Sequence, residues 1–216
     1  MQPWEILFKT AVKQLEAAKL PISSWTFGGG TALMLRFNHR QSKDIDIFLP
    51  DRQLLGYVSP KVNDGVEAQD YTEQELFTKL YLPEGEIDFI ASPAITPIKP
   101  LLREVAGVQA YVEDPVEIVA KKIIYRADSF KPRDIFDLAV VYDRLKADVL
   151  KAAPLIAPKI EALSNRINHW ASSGKLEDRL NEMEILDGGL KVRGHELDIC
   201  RQCLNDIHLH KDQLPL

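Results

Sequence analysis

Cysteine is nearly absent. Only Cys200 and Cys203 occur in 216 residues, too few for a disulfide framework. Long apolar runs are absent too. No stretch approaches the roughly 18 apolar residues that a membrane span needs. The first twenty residues have no charged leader followed by an apolar block, and they read instead as an amphipathic helix, with Ile6, Leu7, Val12 and Leu15 on or near one face. The expectation is a soluble, cytoplasmic protein. There is also no excess of bases. Lys and Arg number 27 against 32 Asp and Glu, a formal charge of −5, which argues against holding nucleic acid by bulk electrostatics and leaves room only for a local basic groove. What is present is core material: 45% of the residues are hydrophobic, so a real core can be buried and global disorder is not expected.

Along the chain, the pattern predicts a helix from about Trp4 to Lys19, a short strand at "SWTF", a brief helix at "TALMLRF" and a strand at "DIDIFLP". Residues 51–70 read as a helix and a variable link. "LFTKLYL" and "EIDFIAS" form two strands joined by "PEG", and "GVQAYV" is a further strand. After "EDP" the texture becomes helical, with Pro115 and Pro132 placed as early helix residues. Residues 146–172 continue as a helical pattern broken by Pro154 and Pro158, and "HELDICRQCLNDIHL" is a last helix. The class expected is α/β (α+β), a mixed sheet with flanking helices over residues 1–112, followed by an all-helical domain over 113–216.

Two local features carry chemistry. Gly28, Gly29 and Gly30 lie between a strand and a helix starting at Thr31. Bare backbone and a helix N-terminus make a seat for phosphate, to which Thr31 adds a hydroxyl. Downstream, Asp44 and Asp46 alternate with Ile45 and Ile47, so the two carboxylates share one face of a strand. Paired carboxylates repel unless a cation lies between them, and Mg²⁺ takes such oxygen ligands. Each feature alone is ordinary; together, in this order, they suggest a nucleoside triphosphate held with Mg²⁺. Two-metal chemistry asks for a third carboxylate, and Asp88 in "EIDFIAS" is placed to supply it as ligand or base. The loop "RFNHRQSK" brings Arg40 and Lys43 near the carboxylates as candidate phosphate contacts, while its His39 is expected to be solvated.

These residues resemble a known family. "GGGTALMLRFNHRQSKDIDIF" is similar to the opening motif of the AbiEii/AbiGii-type nucleotidyltransferase toxins, within the DNA polymerase β-like nucleotidyltransferase superfamily. "EIVAKKIIYRADSFKPRDIFDLAVV" resembles the family's second signature. Where many members of the wider superfamily have Gly-Ser, this chain has Gly30-Thr31, which keeps the hydroxyl. The resemblance implies a nucleotidyltransferase fold and a toxin encoded beside a cognate antitoxin. It implies Mg²⁺, with two ions and Mn²⁺ as a substitute, and transfer from a nucleoside triphosphate to an RNA such as the 3′ end of tRNA. Transfer to a protein hydroxyl and a silent nucleotide-binding subunit are the alternatives. It also implies Asp44 and Asp46 as metal ligands, Gly29, Gly30 and Thr31 along the triphosphate, and Lys122 as a functional lysine. Arg133, Asp134 and Asp137 match R-D-x-x-D, and Asp88 and Asp137 compete for the third carboxylate.

Physically, Lys122 and Arg126 share a helix face and suit a triphosphate as point charge and fork. Asp134, and with it Asp137, falls on the face that can hold those cations in position, with direct catalysis by Asp137 as the other option. Arg133 is either a surface residue or a contact to nucleotide or RNA. Lys121 is expected to be exposed. Cys200 and Cys203 fit an apolar stripe, and core packing is expected over zinc.

Overall fold

The computed structural model describes residues 1–212, and the chain falls into two compact units. The first comprises residues 1–35, 42–94 and 99–114. The second takes 36–41, 95–98 and the chain from Pro115 on.

The first unit is built on one seven-stranded sheet. Its elements are α1 (Pro3–Ala17), β1 (Thr26–Gly28), α2 (Gly29–Phe37, whose last turn passes into the second unit), β2 (Ile45–Leu49), α3 (Leu55–Val58), β3 (Asp70–Gln74), β4 (Phe77–Leu82), β5 (Gly85–Ala91), β6 (Leu101–Val105) and β7 (Val108–Val112). The strand order is β3-β4-β5-β2-β1-β7-β6. The pairs β2–β5 and β1–β7 are parallel and the other neighbours antiparallel. Alternation does the sorting here: Ile45, Ile47, Ile87 and Phe89 are fully buried, while Asp46 and Asp88 between them face the other side. Helix α1 packs Leu7, Phe8 and Leu15 into this core, with Phe8 against Phe27 at 4.9 Å between ring centroids.

Two strands go beyond the sequence reading. β3, "DYTEQ", is an edge strand with no buried residue, so it carries no apolar alternation to announce it. β6 pairs with β7 through a turn in which Ala106 and Gly107 both have positive φ. The helix expected in 51–70 is reduced to a 3-10 turn and the four residues of α3.

The second unit is helical: α4 (Pro115–Arg126), α5 (Pro132–Lys151), α6 (Ala153–Ile156), α7 (Ile160–Ser172), α8 (Leu176–Asn181) and α9 (Glu196–His210). Pro132 opens α5, and the Asp134 carboxylate accepts the Lys131 backbone N–H at 3.1 Å, closing the start of the helix. Helix α9 packs on α5 and α7 through buried Cys200, Cys203 and Ile207. Cys200 Sγ donates to the Ile135 carbonyl at 3.3 Å, and burial pushes both thiols up, so the cysteines are core residues as expected. Lys121 is not exposed. It is 5% accessible and lies 3.7 Å from Glu117, whose carboxylate also accepts the backbone N–H groups of Ile95 and Thr96 and the Thr96 hydroxyl.

Candidate active site

In the sheet, register fixes the first group. Gly28 pairs with Asp46, Asp46 with Asp88, and Asp88 with Lys79, so these residues form one row across four strands. Asp46 and Asp88 are thus direct neighbours on parallel strands. Burial, and then the charge of Asp46, push Asp88 up to about 6, against the pull of Lys79 at 3.3 Å. Asp88 Oδ1 is buried and has no hydrogen-bond partner. Lys79 divides itself between Asp88 and Glu86. Burial lowers its pKa, and the two carboxylates more than restore it.

The glycines now have local reasons. Gly29 has φ +70, and a Cβ on it would lie 1.8 Å from Asp46 Oδ2. The Asp46 carboxylate therefore occupies the space a side chain would take, directly at the start of α2. A Cβ on Gly28 would meet Glu113 Oε2 at 2.6 Å and the Phe48 ring at 2.7 Å. Gly30 is buried in the first turn of α2.

Thr31 is placed differently from the expectation that its hydroxyl lines a phosphate. Its side chain is fully buried, and Oγ1 donates to the Asp44 carbonyl at 2.6 Å, with Ser42 Oγ at 3.0 Å. It ties α2 to the segment entering β2. Asp44 stands one residue before β2, half-buried, and its Oδ1 accepts the Glu86 N–H at 3.2 Å. Lys43 is exposed. Among the described residues no group of three or more His, Cys, Asp or Glu is gathered as a metal cage. The fit to a divalent ion rests instead on the Asp46–Asp88 pair, whose mutual repulsion and unpartnered Asp88 Oδ1 suit a hard cation.

The second motif forms a separate charge network inside the helical unit. Asp137 is fully buried. Its Oδ1 accepts from Arg40 Nε at 2.7 Å and faces His39 Nε2 at 2.8 Å; its Oδ2 accepts from an Arg40 terminal N–H at 2.8 Å and Lys122 Nζ at 2.9 Å. A carboxylate offers about four lone-pair sites, and all are used. Burial alone would raise this carboxyl, but Arg40 and Lys122 hold it well below the usual carboxylate range. In this structure Asp137 is thus engaged on all sides by His39, Arg40 and Lys122, whereas Asp88 keeps Oδ1 without a partner. Asp134, also fully buried, takes Lys122 at 2.5 Å and Arg126 at 3.7 Å, and these cations keep it low against burial.

Arg40 is accordingly a buried fork on Asp137, not a loop residue reaching for phosphate, and His39 is fully buried, stacked on Phe136 at 5.9 Å. The solvated histidine is thus overturned. The reason is that residues 38–41 pair with 184–188, through Arg40 with Ile185 and through N–H bonds from Gln41, Leu186 and Gly188. Arg126 is half-exposed, at 35% of its side chain, and Arg133 is exposed. Sequence reasoning missed Lys79. The two-residue turn Pro83–Glu84 sets Leu82 against Gly85 and so Lys79 against Asp88, a register that could have been counted back from "PEG".

The family model for the nucleotidyl transferase AbiEii toxin of type IV toxin–antitoxin systems matches residues 15–187. The chain is also similar to a solved structure, MenT4, the nucleotidyltransferase toxin Rv2826c from Mycobacterium tuberculosis H37Rv. That match has 15% identity and a TM-score of 0.44 and covers 95% of this chain and 84% of that one. No curated protein matches.

Proposed function

The chain belongs to the AbiEii family of nucleotidyl transferase toxins of type IV toxin–antitoxin systems, and on that premise we propose that it transfers a nucleoside monophosphate from a triphosphate to the 3′ end of an RNA, tRNA being the favoured acceptor. Nucleotidyl transfer, a triphosphate substrate, a divalent metal and a cognate antitoxin come with the family. Magnesium as the ion and RNA as the acceptor go beyond it.

The observation that carries the proposal is the Asp46–Asp88 pair beside Gly29. Two carboxylates on adjacent strands, one raised to about 6 by burial and by the other, lower their energy when a dication joins them. Asp46 and Asp88 hold the ion, with Asp44 at the mouth of the same strand pair. Bound there, Mg²⁺, or Mn²⁺ in its place, supplies charge for the phosphate oxygens. Gly29 keeps the approach to Asp46 free of side-chain atoms, and Gly30 continues the bare backbone into the helix start, the arrangement that seats phosphate. Thr31 fixes the Asp44 segment from within. In the reaction an acceptor hydroxyl attacks the α-phosphorus. The new O–P bond forms as the bond to pyrophosphate breaks, and the proton of the hydroxyl leaves. Asp88, whose Oδ1 has no hydrogen-bond partner, is the carboxylate we assign to draw that proton, as the alternative to its role as ligand.

In the helical unit, Asp134 and Asp137 hold Lys122 rigidly, and Arg126, at the half-exposed end of this chain of charges, is the cation open to an anionic ligand. The substrate pool puts the reaction in the cytoplasm; among the described residues no helix is long and apolar enough to cross a membrane.

The test is a transfer assay. Each α-labelled nucleoside triphosphate is incubated with the protein, Mg²⁺ and total cellular RNA and protein, beside an Asp44→Ala/Asp46→Ala control. Label in tRNA that the control lacks is the expected result and identifies the base. Label in a protein band would replace the RNA acceptor with a protein hydroxyl. Label in neither would overturn the proposed acceptors.

A further inference from the structure

The chain carries more acid than base, yet one corner of the helical unit reverses this locally. Lys131 and Arg133 are exposed on either side of Pro132 at the start of α5. Arg126 reaches into the same corner, 3.7 Å from Asp134. The carbonyl of Phe130 accepts two side-chain bonds from α7: Arg166 Nε at 3.1 Å and Trp170 Nε1 at 2.8 Å. The Arg166 guanidinium lies over the Trp170 ring at 4.9 Å from its centroid. Among the described residues Lys131, Arg133 and Arg166 make no ion pair, and Asp128 is the one exposed acid in the 126–134 stretch.

From this geometry we propose that the corner formed by residues 126–134 and the Arg166–Trp170 pair is the docking surface for the RNA acceptor, binding it as a single strand. The inference rests on the RNA reading above and names the surface that meets the RNA. Charge complementarity selects the partner. Four cations, three without a carboxylate, suit a chain of phosphates better than they suit the protein's own acids. The aromatic selects single-stranded RNA over a duplex. An unstacked base can lie on a Trp face or a guanidinium plane, whereas a base inside a helix cannot. Ordinary surface cations have no fixed place. Here Phe130 pins both Arg166 and Trp170, so the platform is built before the ligand arrives. Arg166 spends only its Nε on this bond, so its terminal N–H groups remain for a ligand.

The test uses the full chain and a labelled single-stranded RNA oligonucleotide of mixed sequence, with binding followed by fluorescence anisotropy over a range of salt. Each phosphate contact contributes a slope of about 0.7 in log affinity against log salt. Lys131→Glu/Arg166→Gln should weaken binding by about tenfold or more and flatten the slope by about 1.4, with only a small drop in melting temperature for the lost Arg166–Phe130 bond and unchanged triphosphate binding. Trp170→Ala should cost about tenfold, and Trp170→Phe, which keeps a ring, should cost less. Wild-type affinity and slope in the double variant would overturn the inference while leaving the proposed transferase intact. So would equal affinity of the wild type for duplex DNA. A wild type that binds no RNA and labels a protein instead would remove the RNA reading itself.

Discussion

Asp88 and Asp137 are both carboxylates withdrawn from water, and their surroundings differ. Asp88 sits beside Asp46 with a lysine shared with Glu86 for relief, and it is raised to about 6. Asp137 is ringed by His39, Arg40 and Lys122 and is held low. The sheet leaves its charge under-compensated where a metal and a triphosphate are proposed to bind, whereas the helices neutralise theirs completely. A buried charge with its partners in place is structure; one left in deficit is a vacancy for a ligand of opposite sign.

The largest way to break this comparison is Asp137→Ala. It takes from Arg40 its paired carboxylate and leaves Lys122 with Asp134 alone, and urea denaturation should show a loss of about 3–5 kcal/mol. Acid acts in the same direction. The low pKa values of Asp134 and Asp137 give stability that is present above the unfolded carboxyl value near 4 and lost as pH falls through their folded values.

Asp88→Asn is the opposite experiment. A carboxyl raised in the folded state binds its proton more tightly there, so the wild type should lose stability as pH climbs from about 4 to about 6, by at most about 3 kcal/mol. The variant should lack that slope and be the more stable protein above pH 6, while its transfer rate collapses. Mg²⁺ at a hundred times its Kd should stabilise the wild type by about 2.7 kcal/mol and the variant by much less.

Gly29→Ala should cost about 1–3 kcal/mol for its positive φ, and it should displace the Asp46 carboxylate. Transfer should fall roughly a hundredfold with little change in RNA binding. The smallest effect is that of Thr31→Val, about 1 kcal/mol in thermal unfolding for the lost bond to Asp44. A greater loss in transfer than in stability would show that this bond positions Asp44.

Much of this was legible in the sequence. Alternation in "DIDIF" and "EIDFIA" set Asp46 opposite its isoleucines and Asp88 opposite Ile87 and Phe89, because a period of two is a property of the strand alone, whereas their side-by-side register comes from the pairing of β2 with β5. Pro115 and Pro132 marked the helix starts. Edge strand β3 was hidden because it buries nothing. The fate of His39 and Arg40 was hidden for a different reason. Their environment is made by Phe136, Asp137 and residues 184–189, which no local pattern links to position 39. The paired aspartates of R-D-x-x-D were readable as partners for Lys122, but their completion by Arg40 was not.

The seam between residues 37–41 and 184–189 bears on when the protein becomes itself. Gly188 and Gly189 press against the backbone of 37–39 so closely that a Cβ on either would lie about 2 Å from a carbonyl oxygen (1.9 Å to Phe37, 2.2 Å to His39). One side of the seam leaves the ribosome before most of the sheet has been made, and the other after six more helices, α3 to α8. At about 5–20 residues per second, roughly 7 to 30 seconds separate them. Asp137, the partner of Arg40, is made early in that interval, but residues 38–41 gain their backbone neighbours only at its end. The seam therefore cannot close until translation has passed residue 189.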